Sequence, residues 1–189
     1  MYLTTISKVL LLCTFVVSIS CNDGEYYWRP WTAGSPPSDA VTTRDYRGVS
    51  YIVEAYVPYY GLFIGQVFAN QHRVNVSVPS SSKTSDFVIQ DSRYLKVLCT
   101  QNLEKLAWYP THYNTIHNEL VTAVVSPVLG GINVNDNLVY IGRIVDFNKR
   151  IVILGSVVED NVLHYHYSGE AYTQRYYEIL VIGSKCSSD

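Results

Sequence analysis

The 189-residue sequence has few charged residues and few strong helix formers. Charged residues make up 16% of it, the formal net charge is −2, and no block of basic residues occurs. The lack of such a block argues against a nucleic-acid-binding protein. Methionine occurs once, and no window of ten or more residues shows the 3.6-residue hydrophobic period of a helix. We therefore expect helix to be a minor part of the fold.

Sequence signatures of catalysis and of cofactor binding are also missing. The chain contains no Gly-x-Ser-x-Gly elbow, no glycine-rich phosphate loop and no zinc motif. His164 and His166 share one face of a predicted strand, a geometry that metals can use, but no third ligand is close in sequence, and we expect half-buried strand residues. We predict a non-enzymatic protein without a cofactor. A hydrolase is the alternative, and it would require two acids facing each other across a cleft.

Apolar and aromatic residues are abundant. Hydrophobic residues make up 48% of the sequence, and tyrosine occurs 17 times, a composition that favours β-structure. Eight short runs of β-branched and aromatic residues alternate with turn signals. These runs are residues 49–55, 62–68, 73–78, 94–98, 138–144, 151–158, 162–167 and 176–182. The pattern predicts an all-β fold built from antiparallel sheets.

The N-terminus has the pattern of a secretory signal peptide. Lys8 supplies a positive charge, residues 9–17 form an apolar run, and Ser18 and Ser20 stand at the −3 and −1 positions of a cleavage site before Cys21. The run is shorter than the roughly 20 residues of a membrane span, although an uncleaved anchor is the alternative. We expect residues 1–20 to be removed and the mature protein to be secreted, without a membrane span.

The remaining cysteines and one sequon fit an oxidising compartment. Cys21, Cys99 and Cys186 are an odd number, so we expect one disulfide and one thiol that is free or intermolecular, as in a homodimer. Cys21 and Cys186 lie near the two termini, Cys99 competes for either, and the sequence does not choose between the pairings. Asn75 begins the sequon Asn-Val-Ser and is the candidate for N-glycosylation.

The order of sequence landmarks repeats along the chain. Trp31 and Trp108 open two halves, and Gly65-Gln66-Val67 is echoed by Gly155-Ser156-Val157. A repeat this long indicates a duplicated subdomain. Because each half alone buries little apolar surface, we expect pseudo-two-fold symmetry, with strands of one half completing sheets of the other. The predicted organisation is an N-terminal segment 21–30, a first repeat 31–98, a linker 99–107, a second repeat 108–182 and a tail 183–189.

The residues that carry this repeat resemble those of the DM-nine repeat family. A family repeat begins with Trp, continues through a Pro-x-x-Ala-Val segment and a Gly-Lys-Val element, and ends on Tyr-Glu-Val-Leu. The resemblance covers residues 31–182. The matching residues are Trp31, Pro37-Ser38-Asp39-Ala40-Val41, Gly65-Gln66-Val67 and Tyr94-Leu95-Lys96-Val97-Leu98 in the first half, and Trp108, Ala123-Val124, Gly155-Ser156-Val157 and Tyr177-Glu178-Ile179-Leu180 in the second.

The resemblance implies an all-β fold of two intertwined repeats and a role in invertebrate innate immunity, where some members bind mannose. In those members an Asp near a turn and the Lys of the Gly-Lys pair hold the sugar. The matching positions are Asp45 and Gln66 in the first half and Asn133 and Ser156 in the second, so neither half keeps the lysine. We expect a secreted carbohydrate-binding pattern-recognition protein. The alternative is a secreted interaction or structural protein that has lost the sugar site.

Overall fold

The computed structural model describes residues 25–80, 83–122 and 126–183. The predicted signal peptide 1–20, Cys21 and Cys186 lie outside these residues. Strands dominate the described chain, and the prediction of an all-β fold with antiparallel sheets and little helix is confirmed. The first half contains β1 (Tyr27–Pro30), β2 (Thr42–Asp45), β3 (Gly48–Val57), β4 (Gly61–Phe68), β5 (Val74–Pro79), β6 (Thr84–Ile89) and β7 (Leu95–Cys99).

The second half adds the remaining strands and one short helix. They are β8 (Leu106–His112), α1 (Ile116–Val121), β9 (Ser126–Pro127), β10 (Leu129–Ile132), β11 (Leu138–Asp146), β12 (Ile151–Val157), β13 (Leu163–Tyr167), β14 (Glu170–Gln174) and β15 (Tyr176–Ile182). Single 3-10 turns precede β7 and β8, at Ser92–Tyr94 and Leu103–Lys105.

The strands form two larger sheets and one separate hairpin. In the N-terminal sheet, β7 lies between β1 and β3, and β3 also pairs with β2 and β4. In the C-terminal sheet, β15 lies between β8 and β11, β11 also pairs with β10 and β12, and β12 continues through β13 to β14. The β5–β6 hairpin pairs with neither sheet but packs on β13 and β14. All of these pairings are antiparallel.

Five strands of each sheet share one pairing order, and the register of the two sheets agrees at several positions. Val53 lies opposite Gly65 in the first half, and Gly142 lies opposite Gly155 in the second. The next pairs in register are Ile52 with Gln66 and Ile141 with Ser156. Gln66 and Ser156 therefore occupy matching strand positions, as the sequence alignment of the halves predicts. A duplication with pseudo-two-fold symmetry stays a prediction.

Two details of the predicted organisation are wrong. Each large sheet draws its strands from one half of the chain, so among the described residues no strand of one half completes a sheet of the other. The second error concerns the landmark tryptophans. Trp28 lies opposite Leu98 as Trp108 lies opposite Leu180, so Trp28, inside the predicted N-terminal segment 21–30, matches Trp108. Trp31 instead fills the core, where it is 2% exposed.

The halves are joined by a shared core rather than by shared sheets. Strand β4 packs on β10 and β12 of the second half. Ile64 of β4 belongs to the same buried cluster as Ile141, Leu154 and Leu180. A single bridge between Gly61 and Asn133 adds backbone pairing between the halves. The candidate site lies where these halves meet.

Candidate functional site

Two of the four predicted contact residues, Asp45 and Gln66, form hydrogen bonds to the backbone of the same residue, Val152, in the other half. Asp45 ends β2, and its Oδ2 accepts a hydrogen bond from the Val152 N–H at 3.0 Å. Gln66 lies on β4, and its Nε2 donates to the Val152 carbonyl at 3.0 Å and to Ser50 Oγ at 2.7 Å. Since Val152 lies on β12, each of these side chains crosses from the first half to the second. The structure therefore brings Asp45 and Gln66 together, as predicted.

The Asp45 carboxylate is nevertheless closed off from solvent by Arg47. Arg47 Nε donates to Asp45 Oδ2 at 2.9 Å, and the Arg47 backbone N–H donates to Oδ1 at 2.8 Å. The Asp45 side chain is only 2% exposed. Burial alone raises the pKa of Asp45, but the hydrogen bonds from Arg47 and Val152 outweigh it, and the pKa is lowered. Asp45 therefore positions Arg47, and a direct contact of Asp45 with a ligand stays a prediction.

Gln66 and Arg47 open onto a cleft of about 350 Å³ between the halves. This volume lies in the range of small-molecule sites. The cleft is mostly polar, and Ser168 on its wall belongs to the Ser168-Gly169 turn, in which both residues have positive φ as a two-residue hairpin requires. The lining residues are Arg47, Gln66, Phe68, Gln71, Arg73, Asn75, Leu154, His166, Tyr167 and Ser168.

Hydrogen-bonding atoms of two cleft residues remain open. Among the described residues, every buried side-chain nitrogen and oxygen has a hydrogen-bond partner. Gln66 uses its Nε2 twice, whereas its Oε1 has no partner within the described chain and must therefore face solvent. Arg47 is an exposed residue that uses Nε and Nη2, and its Nη1 has no hydrogen-bond partner within the described chain. The cleft thus offers a fixed acceptor and a fixed cationic donor to a ligand.

The wall opposite Gln66 is a hydrogen-bonded chain that links β5, β6 and β13. Asn75 Nδ2 donates to His166 Nε2 at 2.7 Å, and His166 Nδ1 donates to Asp86 Oδ2 at 2.9 Å. Asp86 also accepts from the Ser77 hydroxyl. This chain fixes the imidazole between the two halves. On the same strand, His164 is buried and bonds Thr84 and Asp160, so both histidines join the halves.

The second predicted pair, Asn133 and Ser156, does not form a site. Ser156 is fully buried, and its Oγ accepts a hydrogen bond from the Ile64 N–H at 2.8 Å. Asn133 Oδ1 accepts from the backbone N–H groups of Asn135 and Asn137 and so stabilises a turn. The structure therefore does not bring these two residues to the cleft, and their contact with a ligand stays a prediction. Burial and turn formation, which the spacing did not reveal, already use their polar atoms.

The other candidate residues have the following places. Cys99 is a buried free cysteine whose thiol pKa is raised to about 11, first by burial and then by Asp39. The pairing of Cys21 and Cys186 stays a prediction.

Asn75 lines the cleft, so a glycan on it would project into the cleft; glycosylation also stays a prediction. Over residues 25–80, 83–122 and 126–183, no group of three metal-ligating residues and no membrane-crossing helix is found.

Sequence reasoning missed Arg47, Arg73 and Tyr167 as cleft residues. Arg47 carried a detectable signal, because an Asp followed two residues later by Arg in a turn can close an Asx turn with an ion pair. Arg73 and Tyr167 carried none, since they reach the cleft only through the packing of β5 and β13 across the two halves.

The fold and the cleft define an all-β protein with a polar cleft between two halves. No protein-family model matches the chain, and no curated protein matches it. The chain is similar in fold to the crystal structure of the nematode sperm cell motility protein MFP2B, with a TM-score of 0.52 and 12% sequence identity. The match covers 88% of this chain and 48% of MFP2B, so the chain spans about half the length of that protein. At this identity the likeness supports the fold alone.

Proposed function

We propose that the chain is a secreted carbohydrate-binding protein of the pattern-recognition type, and that the cleft around Gln66 holds the sugar. The observation that carries this proposal is that Gln66 and Arg47, whose Oε1 and Nη1 have no partner within the described chain, line the same cleft of about 350 Å³. Sugar hydroxyls both donate and accept, so a fixed acceptor beside a fixed donor suits them. Tyr167 adds an aromatic surface to the same cleft.

The proposed contacts differ from the mode that the DM-nine resemblance implies. In that mode a carboxylate and a lysine bind the sugar directly. Here Gln66 replaces the lysine, and Asp45 is turned to Arg47 and Val152. The sugar would instead be held by Gln66 and Arg47, with Asp45 behind them. Resemblance to the family and the signal-peptide pattern support secretion and a role in innate immunity, and both remain part of the proposal.

A glycan array tests this function directly. The chain from Cys21 onward, produced without N-glycosylation, is applied to neutral and acidic glycans. We expect binding to a subset of glycans and loss of that binding in Gln66→Leu. The matched control is Gln101→Leu, because Gln101 is exposed and lies outside the cleft. Absence of binding to every glycan at high protein concentration would reject the proposal.

A second candidate function, a secreted protein-interaction protein, is favoured by exposed aromatic side chains. Phe147 is 85% exposed and Tyr46 is 68% exposed, and the Tyr46 N–H donates to the Arg150 carbonyl, so the two turns that carry them are adjacent. Aromatic residues of this kind are enriched at protein interfaces. The structural neighbour is by its name a motility protein. Self-association by sedimentation that is abolished in Tyr46→Ser/Phe147→Ser, together with an empty glycan array, would support this candidate.

A further inference from the structure

The open groups of the cleft carry charge of one sign. Its lining contains two arginines, Arg47 and Arg73, and neither aspartate nor glutamate. Arg47 is paired with the buried Asp45, whereas Arg73 has no ion-pair partner among the described residues. Guanidinium groups donate hydrogen bonds and cannot accept them. A ligand that satisfies both arginines must therefore present acceptors, and an anion satisfies them best.

The Arg47 guanidinium is fixed before any ligand arrives. Two of its nitrogens donate to Asp45, and Nη2 also donates to the Val152 carbonyl at 2.7 Å. Its planar group lies over the Phe68 ring, 5.2 Å from the centroid. Only Nη1 is left to bind a ligand. A side chain held in this way loses little conformational freedom on binding, which strengthens the contact.

The acids nearest to the cleft are already occupied. Asp45 is 2% exposed and accepts from Arg47 and Val152. Asp86 accepts from His166 and Ser77 on the far wall. Neither carboxylate is a lining residue, so neither faces a bound group across the cleft. Arg73 is exposed, and no described residue forms an ion pair with it.

We propose that the cleft binds the anionic group of an acidic saccharide, a carboxylate or a sulfate, through Arg47 and Arg73. The open Gln66 Oε1 accepts a hydrogen bond from a hydroxyl of the same sugar. This inference deepens the proposed carbohydrate-binding function and rests on it. It assigns the specificity of the site to positive charge, which none of the residues at the family's sugar-binding positions supplies.

Isothermal titration with three oligosaccharides of equal length tests the proposal. The probes are an oligogalacturonate, a sulfated heparin fragment and a neutral mannan fragment, each titrated into the chain from Cys21 onward without N-glycans. At about 10 mM salt, where screening is weak, we expect an acidic probe to bind about tenfold more tightly than the neutral probe. The difference should shrink at about 300 mM salt. The two acidic probes distinguish carboxylate from sulfate.

Variants of the arginines locate the binding. Arg73→Gln should weaken binding of the acidic probe about fivefold or more, whereas Arg93→Gln, at an exposed arginine outside the cleft, should leave it unchanged. Arg47→Gln alone would leave Asp45 buried and unpaired, so the second variant is Asp45→Asn/Arg47→Gln, which removes both charges. A thermal melt shows whether each variant is folded.

Two contrary outcomes are distinguishable. If the neutral probe binds as tightly as the acidic ones and Arg73→Gln changes nothing, the preference for anions is wrong while carbohydrate binding stands. If none of the three probes binds and the glycan array is empty, the proposed function itself is rejected. Equal losses in Arg73→Gln and Arg93→Gln would show that the acid binds to surface charge in general, and this would also overturn the proposal.

Discussion

The same three-residue motif occurs twice in this chain with different degrees of burial. In Asp45-Tyr46-Arg47 and in Asp91-Ser92-Arg93, the carboxylate accepts from the N–H two residues later and from that residue's guanidinium. The Asp45 side chain is 2% exposed, whereas that of Asp91 is 35% exposed. Only the first motif also crosses to the other half. The contribution of such a motif to stability therefore depends on whether its hydrogen bonds reach the other half of the chain.

This contrast gives a matched pair of substitutions. Asp45→Asn keeps the shape of the side chain but weakens its bonds to Arg47 and Val152, and we expect a loss of about 1–3 kcal/mol in the free energy of unfolding. Asp91→Asn alters a solvent-screened pair and should change stability little. Chemical denaturation at neutral pH measures both variants. Equal effects of the two substitutions would contradict the role given to Asp45.

Acid should remove the contribution of Asp45 to the free energy of unfolding. Its pKa is lowered in the fold by hydrogen bonds that outweigh burial, so the unfolded chain binds a proton more readily. The stabilisation is then present above the unfolded value of about 3.9 and is lost as pH falls through the folded pKa. Denaturation at a series of pH values should show a shallower fall in stability below about pH 4 for Asp45→Asn than for the unsubstituted chain.

The contribution of Glu54 to stability should change with pH in the opposite direction. Burial raises its pKa, and Lys96 at 3.4 Å offsets this only in part. Because the folded protein prefers the protonated acid, stability is fully present below the unfolded pKa and is lost as pH rises through the folded pKa. We expect Glu54→Gln to flatten the fall in unfolding free energy as the pH rises above the unfolded value of about 4.3. Glu104→Gln, at an exposed site, should retain that fall.

At the scale of elements, the sequence predicted the strands that bury one or both faces. All eight predicted runs are strands, among them β3, β4, β11 and β12. Three of the strands that were missed contain few buried residues. Thr84–Ile89 and Glu170–Gln174 alternate weakly and lie at sheet or hairpin edges, and Leu106–His112 contains Pro110. Their pairing depends on neighbouring strands rather than on their own hydrophobic pattern.

A glycine on β12 tests the packing of adjacent strands. A Cβ on Gly155 would lie 2.2 Å from the His164 carbonyl oxygen and 2.8 Å from the Tyr165 Cβ, both on the paired strand β13. Gly155→Ala must therefore separate β12 from β13, and we expect a loss of about 1–3 kcal/mol. Gly183→Ala is the control, since its nearest neighbour would lie at an ordinary 3.6 Å. Thermal denaturation compares the two variants.

At the scale of the molecule, only two of the four residues at the predicted contact positions come together. Asp45 and Gln66 match the sugar-binding positions that the DM-nine resemblance implies, and the structure joins them through Val152. It gave the same role to Ser156, whose buried hydroxyl bonds to Ile64. The two halves share a pairing order, but their contacts with each other differ. These contacts join segments that are distant in the sequence, and a single sequence contains no periodic pattern that indicates them.

From the shared core we predict that the two halves unfold together. One buried cluster contains Phe63 and Ile64 from the first half and Val139, Ile141 and Leu154 from the second. Removal of either half would expose this apolar surface and leave too small a core for stable folding. We expect the whole chain to unfold in a single calorimetric transition whose van't Hoff and calorimetric enthalpies agree. A fragment ending at residue 105 should show no cooperative transition, and two separate transitions in the whole chain would contradict the shared core.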